Sequence, residues 1–347
     1  MKKIFKSLIL CLMIIPCAVF FAGCTKDKEP TKPEEPTTST IQSIGGVEYD
    51  LISDGTAYKV IDCVRSKESV DILPTLNNKP VTIIGESAFE DCDDLISVTI
   101  PNSITEIGAK AFMGCESLQS ISTGDGVITI GEKAFHMCDS LVSVILGNNV
   151  KTIGNYAFDC DIETLVWGNS VETIGEQAFS GCNLESTIIP NSVKSIGSHA
   201  FWSSSLKSVV IGNGVTYIGT SAFADSWSLE DVVVGNSVQT IGEQAFRDCA
   251  IREITIPSSV ITVGEFAFIH NAIKKVIIDS ESISNNLIES ESQGYLLWDY
   301  YKDELHAETI YIKSGLRVNN STLLLENFTK QATSDKAGYD MYVRNAE

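Results

Sequence analysis

Ile107-Gly108-Ala109-Lys110-Ala111-Phe112 and Ile130-Gly131-Glu132-Lys133-Ala134-Phe135 repeat one pattern, I-G-x-x-A-F, 23 residues apart. The pattern recurs at Ile84 to Phe89, Ile153 to Phe158, Ile174 to Phe179, Ile196 to Phe201, Ile218 to Phe223 and Ile241 to Phe246, and it closes as Val263 to Phe268. Successive phenylalanines lie 23, 23, 23, 21, 22, 22, 23 and 22 residues apart. Nine in-phase copies cannot arise by chance, and a fixed period of this size is the signature of a solenoid. One coil cannot bury its apolar side alone, so neighbours stack and share a core that grows in one direction. The length of 347 residues therefore does not imply two ordinary domains.

Each unit divides into parts with separate physical tasks. After the Phe comes a turn, then an L-x-x-V-x-I stretch, as in Leu95-Val98-Ile100, Leu118-Ile121-Thr123, Leu206-Val209-Ile211 and Leu229-Val232-Val234. Apolar residues two apart share one face of a strand, with the Leu entering from the preceding bend. Pro101-Asn102, Gly147-Asn148, Pro190-Asn191, Gly212-Asn213 and Gly235-Asn236 then end the strand, as residues that take restricted or positive φ. A second short apolar stretch such as Val193 to Ile196 leads to the motif Gly, which is expected to hold a backbone conformation that other residues resist. The Ala that follows allows close approach, and the Phe fills the interior between coils. The expected fold is a strand-rich leucine-rich-repeat solenoid of short strands joined by turns, 3-10 or short helical segments. Nine coils about 4.8 Å apart make a rod roughly 40 Å long.

The I-G-x-x-A-F-x-x-C and P-N-S-V pieces resemble the BspA-like leucine-rich repeats of bacterial surface proteins over roughly residues 80–279. That resemblance implies a secreted or surface-anchored binding scaffold, since some members are adhesins for host matrix proteins or other bacteria. It transfers no particular partner.

The N-terminus states an address. Lys2, Lys3 and Lys6 precede an apolar run from Leu8 to Phe21 and then Ala22-Gly23-Cys24, the layout of a secretory signal peptide. Ala22-Gly23-Cys24 resembles the lipobox of bacterial lipoproteins, with Phe21 in place of the usual Leu. The resemblance implies that Cys24 is lipidated on its thiol and becomes the mature N-terminus, anchoring the chain to the bacterial membrane or cell surface. The apolar run is shorter than a typical span, which favours cleavage over an uncleaved membrane anchor. Division of the chain follows: 1–23 signal peptide, 24–40 a disordered Thr/Pro/Glu/Lys tether, 41–80 an N-terminal cap, 81–279 the solenoid, and 280–347 a C-terminal cap or small module. Within the ends, Val47 to Tyr49 and Tyr58 to Ile61 read as hairpin-like strands. Glu308 to Lys313 and Tyr339 to Val343 also read as strands, and Thr322 to Lys330 as a short helix.

Charge excludes one class of partner. The chain carries a formal net charge of −20, and removal of the three leader lysines leaves 22 Lys and Arg against 45 Asp and Glu. Such a chain repels phosphate backbones, so nucleic acid is not an expected partner. It also has no polybasic patch for anionic lipids.

Catalytic and metal chemistry find little support. Cys92, Cys115, Cys138, Cys182 and Cys249 fall three residues after the repeat Phe, Cys160 falls two after, and Ser204, Ser226 and Asn271 take the same place in other coils. A column that exchanges thiols for small polar residues reads as a ladder of buried groups bonding weakly to turn backbone, rather than as disulfides or a metal site. Exported free thiols point to an anaerobic habitat. His136, His199, His270 and His306 are read as solvated surface residues, and Asp91, Asp93 and Asp94 as a solvated turn without calcium-loop spacing. No P-loop, dinucleotide or zincin motif is present, so no enzyme activity, cofactor or metal is expected.

What remains is the outer side of the strands. One outward column runs Ser97, Ser120, Ser143, Thr164, Ser186, Ser208, Asp231, Glu253, Lys275, and its neighbour runs Thr99, Ser122, Ile145, Val166, Ile188, Val210, Val233, Thr255, Ile277. Ile145, Val166, Ile188, Val210 and Val233 make an apolar stripe beside the hydroxyls of Ser143, Thr164, Ser186 and Ser208. Exposed apolar surface rimmed by polar groups marks interaction sites, although β-branched residues also simply favour strands. The expected function is capture of an unidentified protein ligand at the cell surface. The alternatives are a self-associating surface scaffold and a glycan-capture protein, the last weakened because Trp167 falls on an inward column. Phe179→Ala should cost about 3–5 kcal/mol by opening a cavity between coils. Thermal melting would show it, and an unchanged melting curve would contradict the stacked core.

Overall fold

The computed structural model describes residues 41–281, 298–299, 304–305, 308–315 and 328–345. The signal segment, Cys24, the tether and His306 lie outside the described residues. From Gly85 to Gly264 each repeat is one coil of two short strands joined by turns, with no helical segment in that range. The strand closing each coil, from Glu106–Ile107 to Thr262–Val263, pairs in parallel with its neighbours. Together with Gln42–Ile44, Val47–Leu51, Tyr58–Cys63, Lys79–Ile84 and Thr75–Leu76 these strands make one 13-stranded sheet. The expected hairpin near the N-terminus is present, with Val47–Leu51 antiparallel to Tyr58–Cys63, and the latter parallel to Lys79–Ile84.

Phenylalanine is the axis of the core. Phe89, Phe112, Phe135, Phe158, Phe179, Phe201, Phe223, Phe246 and Phe268 are all buried and stack in one column, with centroids 4.7 to 5.4 Å apart and planes within 13° of parallel. That spacing is close to the hydrogen-bonded separation of β-strands, so the ring stack and the backbone ladder fit one repeat distance. Each stacked pair adds about 0.5–1.5 kcal/mol beyond area burial.

The motif Gly does a different task from the one expected. None of the nine has positive φ. A Cβ on Gly219 would instead lie 2.6 Å from the carbonyl carbon of Gly197 and 2.6 Å from the Ser198 nitrogen, in the coil before. Close backbone approach, repeated along the column, is what demands glycine. The left-handed residue is two places later and is never glycine: Ser87, Lys110, Lys133, Tyr156, Gln177, His199, Ser221, Gln244 and Phe266 have φ between 51° and 57°. Its purpose shows in the ladder. Gly131 donates its N–H back to Ile107 at 2.8 Å, whereas Lys133 donates forward to Asn155 at 2.8 Å and Phe135 forward to Ala157 at 2.9 Å. The left-handed residue reverses the direction of donation, so both neighbouring coils are bonded and few backbone groups stay unpaired.

The turn after the outer strand also differs from expectation. Asn102, Asn148, Asn191, Asn213, Asn236, Gly147, Gly212 and Gly235 lack positive φ. Side chains bridge coils there: Asp125 N–H donates to Asn102 Oδ1 at 3.2 Å, Asn213 N–H to Asn191 Oδ1 at 2.7 Å, and Asn236 N–H to Asn213 Oδ1 at 2.9 Å.

Beyond Asp279 the outer ladder continues. Thr309–Lys313 pairs in parallel with Lys275–Ile278, then Tyr339–Arg344 and Phe328–Lys330 add antiparallel strands. The helix expected over Thr322 to Lys330 is therefore corrected at its end, because Phe328–Lys330 is a strand with Phe328 buried; residues 322–327 lie outside the described residues. A hydrogen-bonding partner strand overrides the local helical pattern there. Gly219→Ala should lose about 1–3 kcal/mol despite ordinary φ, because its methyl meets fixed backbone. Chemical denaturation measures this, and a wild-type midpoint would show that the coils can separate at no cost.

Candidate functional site

The outer strands carry the candidate face, and the ladder holds most of it in register. Ser143, Val144 and Ile145 pair with Thr164, Leu165 and Val166. Ser186 to Ile189 pair with Ser208 to Ile211, and Ser208 to Val210 with Asp231 to Val233. Alternation turns Val144 and Val209 into the core while Ile145, Val166, Ile188, Val210 and Val233 face out, 38 to 69% exposed. Ser143, Thr164, Ser186 and Ser208 lie on the same outer side, half-buried or exposed. Charged pairs run alongside in the neighbouring column, including Lys207 with Glu185 at 2.7 Å.

The stripe is interrupted once. Thr164–Val166 ends one three-stranded sheet and Ser186–Ile189 begins another, with no pairing between them. The seam falls in the coil that is shortest, with 21 residues between Phe158 and Phe179. Trp167 fills it from beneath. Its indole meets Phe179 edge-on at 5.4 Å between centroids, and its Nε1–H donates to Thr187 Oγ1 at 2.9 Å across the gap. Thr187 stands where other coils place Val, Ile or Leu facing inward, and its hydroxyl accepts the indole N–H. Ile188 beside the seam is the most exposed of the five at 69%, because no paired strand flanks it on that side.

One end of the outward column departs from expectation. Ile277 is buried. It pairs with Tyr311, which is also buried, carries Lys275 Nζ at 5.3 Å over its ring and donates its hydroxyl to Asp335 at 2.6 Å. The C-terminal residues thus cover that end, and the exposed apolar run stops at Val233.

The remaining candidates fall elsewhere. Cys115 and Cys138 donate their thiols to the carbonyls of Phe89 and Phe112 at 3.1 Å, and Cys249 to Phe223 at 3.3 Å. Ser226 and Asn271 make the same bond to Phe201 and Phe246, which explains the exchange of residue types in that column. Burial pushes the Cys115, Cys182 and Cys249 thiols up to about 12, so they stay protonated donors. His136 and His270 are not simply solvated: they are half-buried against Asp159 at 3.3 Å and Asp248 at 2.8 Å. Asp91 lies 3.9 Å from Arg65 in an open acidic hollow of about 660 Å³ that also takes in Asp93, Asp94 and Glu116. Among the described residues no group of three or more His, Cys, Asp or Glu is placed to hold a metal ion. Sequence reasoning passed over Trp202 and Trp227, exposed on the turns outside the strand pattern, and Cys63, which precedes the first repeat Phe.

The family model described as the BspA type leucine-rich repeat region matches six copies, over residues 74–166, 159–275 and 218–290. Among solved structures, a leucine-rich cell surface protein of Faecalibacterium prausnitzii A2-165 is 21% identical, aligned over 70% of this chain and 89% of its own, with a TM-score of 0.37. The leucine-rich repeat protein of T. pallidum is 24% identical over 58% of this chain and 84% of its own, with a TM-score of 0.44. The pneumococcal vaccine antigen PcpA is 21% identical over 71% and 83%, with a TM-score of 0.33. No curated protein matches the sequence. Thr187→Val should cost about 0.5–1.5 kcal/mol by orphaning the Trp167 indole N–H. Denaturant unfolding followed by tryptophan fluorescence checks this, and unchanged stability would mean that the bond does not hold the seam.

Proposed function

We propose that this chain, which belongs to the BspA-type leucine-rich-repeat family, is a non-catalytic, lipid-anchored surface protein that captures a protein ligand on the outer strand face. One observation carries the reading: five β-branched side chains, Ile145, Val166, Ile188, Val210 and Val233, stand in solvent on successive coils while Ser and Thr hydroxyls line them. Exposing them costs solubility, and a strand at this position does not require an aliphatic side chain, since Thr99 and Ser122 hold it in the first coils. A nearly flat, rigid ladder loses little entropy on binding, which suits a surface that must grip an extended or broad partner. The motif Ala22-Gly23-Cys24 supports lipidation at Cys24, with residues 24–40 as the tether and the outermost segments 41–80 and 280–347 as caps of the stack.

The triple variant Val166→Ser, Ile188→Ser, Val210→Ser should bind extracellular-matrix or bacterial-surface proteins at least ~10-fold more weakly than the wild type, with an unchanged far-ultraviolet spectrum. Retained binding would remove this face from consideration. Loss of concentration-dependent self-association in the variant, measured by sedimentation, would instead identify the partner as a second copy and favour the scaffold reading.

A further inference from the structure

The turn from each repeat Phe to the next outer strand varies in length, and one variation lifts a tryptophan clear of the surface. Phe223 to Leu229 spans six positions, whereas Phe201 to Leu206 and Phe246 to Ile251, on the coils either side, span five. The longer turn carries Trp227, and the shorter ones end in the small residues Ser205 and Ala250. Trp227 is 70% exposed, more than any other large apolar side chain among the described residues. Packing does not ask for an aromatic there. The six-position turns after Phe89, Phe112 and Phe135 place Asp93, Glu116 and Asp139 at the same point.

A second tryptophan reaches the same turn. Trp202, one coil earlier, is exposed, and its Nε1–H donates to Asp225 Oδ2 at 2.6 Å, two residues before Trp227. Arg247, one coil later, donates from Nη2 to the same oxygen at 2.7 Å. That guanidinium is fixed in turn by Gln244 Oε1 at 2.8 Å and by Asp248 Oδ2 at 2.9 Å. The Trp202 indole is therefore pinned with its ring in solvent, and the Asp225 charge is balanced. Among the described residues both bonds to this carboxylate fall on Oδ2, which leaves Oδ1 to accept from outside.

We propose that this ridge, apart from the outer strand stripe, is a binding site for a neutral glycan. Trp202 and Trp227 offer ring faces to the C–H faces of hexopyranose units, and Asp225 Oδ1 accepts a sugar hydroxyl beside Trp202. The surroundings favour sugar over an apolar protein anchor. Ser203, Ser205 and Ser228, on the same two turns, are exposed. Aromatics set among hydroxyls and a carboxylate match a ligand with an apolar face and a polar rim, whereas a protein hot spot is ringed by groups that shut out water. A ring already pinned loses little freedom on binding. The net charge of −20, with Asp225 and Asp248 at the site, turns away uronate and sulfated chains.

The test is affinity electrophoresis of the full chain in native gels containing hydroxyethylcellulose, laminarin, mannan or galactan, with alginate as the polyanionic control. At least one neutral polysaccharide should retard the chain, and alginate should not. Trp227→Ala and Trp202→Ala should each weaken that retardation at least ~10-fold. Trp227 is a surface residue, so its variant should keep the wild-type melting curve. The triple variant Val166→Ser, Ile188→Ser, Val210→Ser should be retarded like the wild type, which separates this site from the strand face. Mobility unchanged in all four neutral gels, or retardation undiminished in Trp227→Ala, would overturn the proposal. Retardation lost in the triple variant would move the glycan to the strand face and overturn it equally. Tryptophan-dependent pelleting with phosphatidylcholine vesicles, without retardation in any gel, would assign the ridge to a lipid surface instead.

Discussion

Adjacent coils approach until backbone meets backbone at the motif glycines, and this contact sets the spacing on which everything else rests. At that separation the parallel ladder forms, the Phe rings stack at 4.7 to 5.4 Å, and Cys115, Cys138, Ser226, Cys249 and Asn271 reach the Phe carbonyl of the coil before. A methyl at any one glycine would push two coils apart and weaken all of these contacts together. The fold is therefore stabilised in series, each coil by its neighbours, as expected of a one-dimensional array.

The same periodicity that builds the core builds the outer face. Alternation along a strand sends Val144 inward and Ile145 outward, and the parallel register repeats that choice on the next coil. A binding surface made this way can be long and flat with little extra folding cost, because only outward letters change from coil to coil. Those letters do change here: hydroxyls and charges at the two ends, Ile and Val in the middle. The outer ladder parts between Ser97–Thr99 and Ser120–Ser122, between Thr164–Val166 and Ser186–Ile189, and between Asp231–Val233 and Glu253–Ile256, while the inner sheet runs on unbroken; the middle parting falls at the 21-residue coil. Trp167 and Thr187 bridge that parting from inside, leaving the outward surface to Val166 and Ile188.

Much of this was legible in the residues alone. Nine Phe positions in phase specify the coils, and L-x-x-V-x-I specifies which strand residues face out, because both follow from local period. Other features depend on what a coil meets across the stack. The motif Gly looks like a φ requirement when read alone, yet it is a spacing requirement, and the φ strain sits on Lys110 or Tyr156, residues with no such signature. The short spacing before Phe179 shows that a residue is missing but not which ladder gives way. Cys63 escapes notice because no repeat Phe precedes it, and Ile277 looks exposed until Tyr311, far along the chain, pairs beside it. Phe328 follows the same rule, taking its strand from a partner that local pattern does not contain.

The spacing constraint is tested most directly by amide hydrogen exchange resolved to single residues in the full chain. Phe112, Phe135, Phe158, Phe179, Phe201, Phe223 and Phe246 each donate their N–H to the next coil at 2.7 to 2.9 Å. The account predicts that these amides exchange slowly and with similar protection, as members of one cooperative stack. Fast exchange at Phe135 and Phe158, comparable to that of the exposed turn at Val64–Glu68, would contradict it.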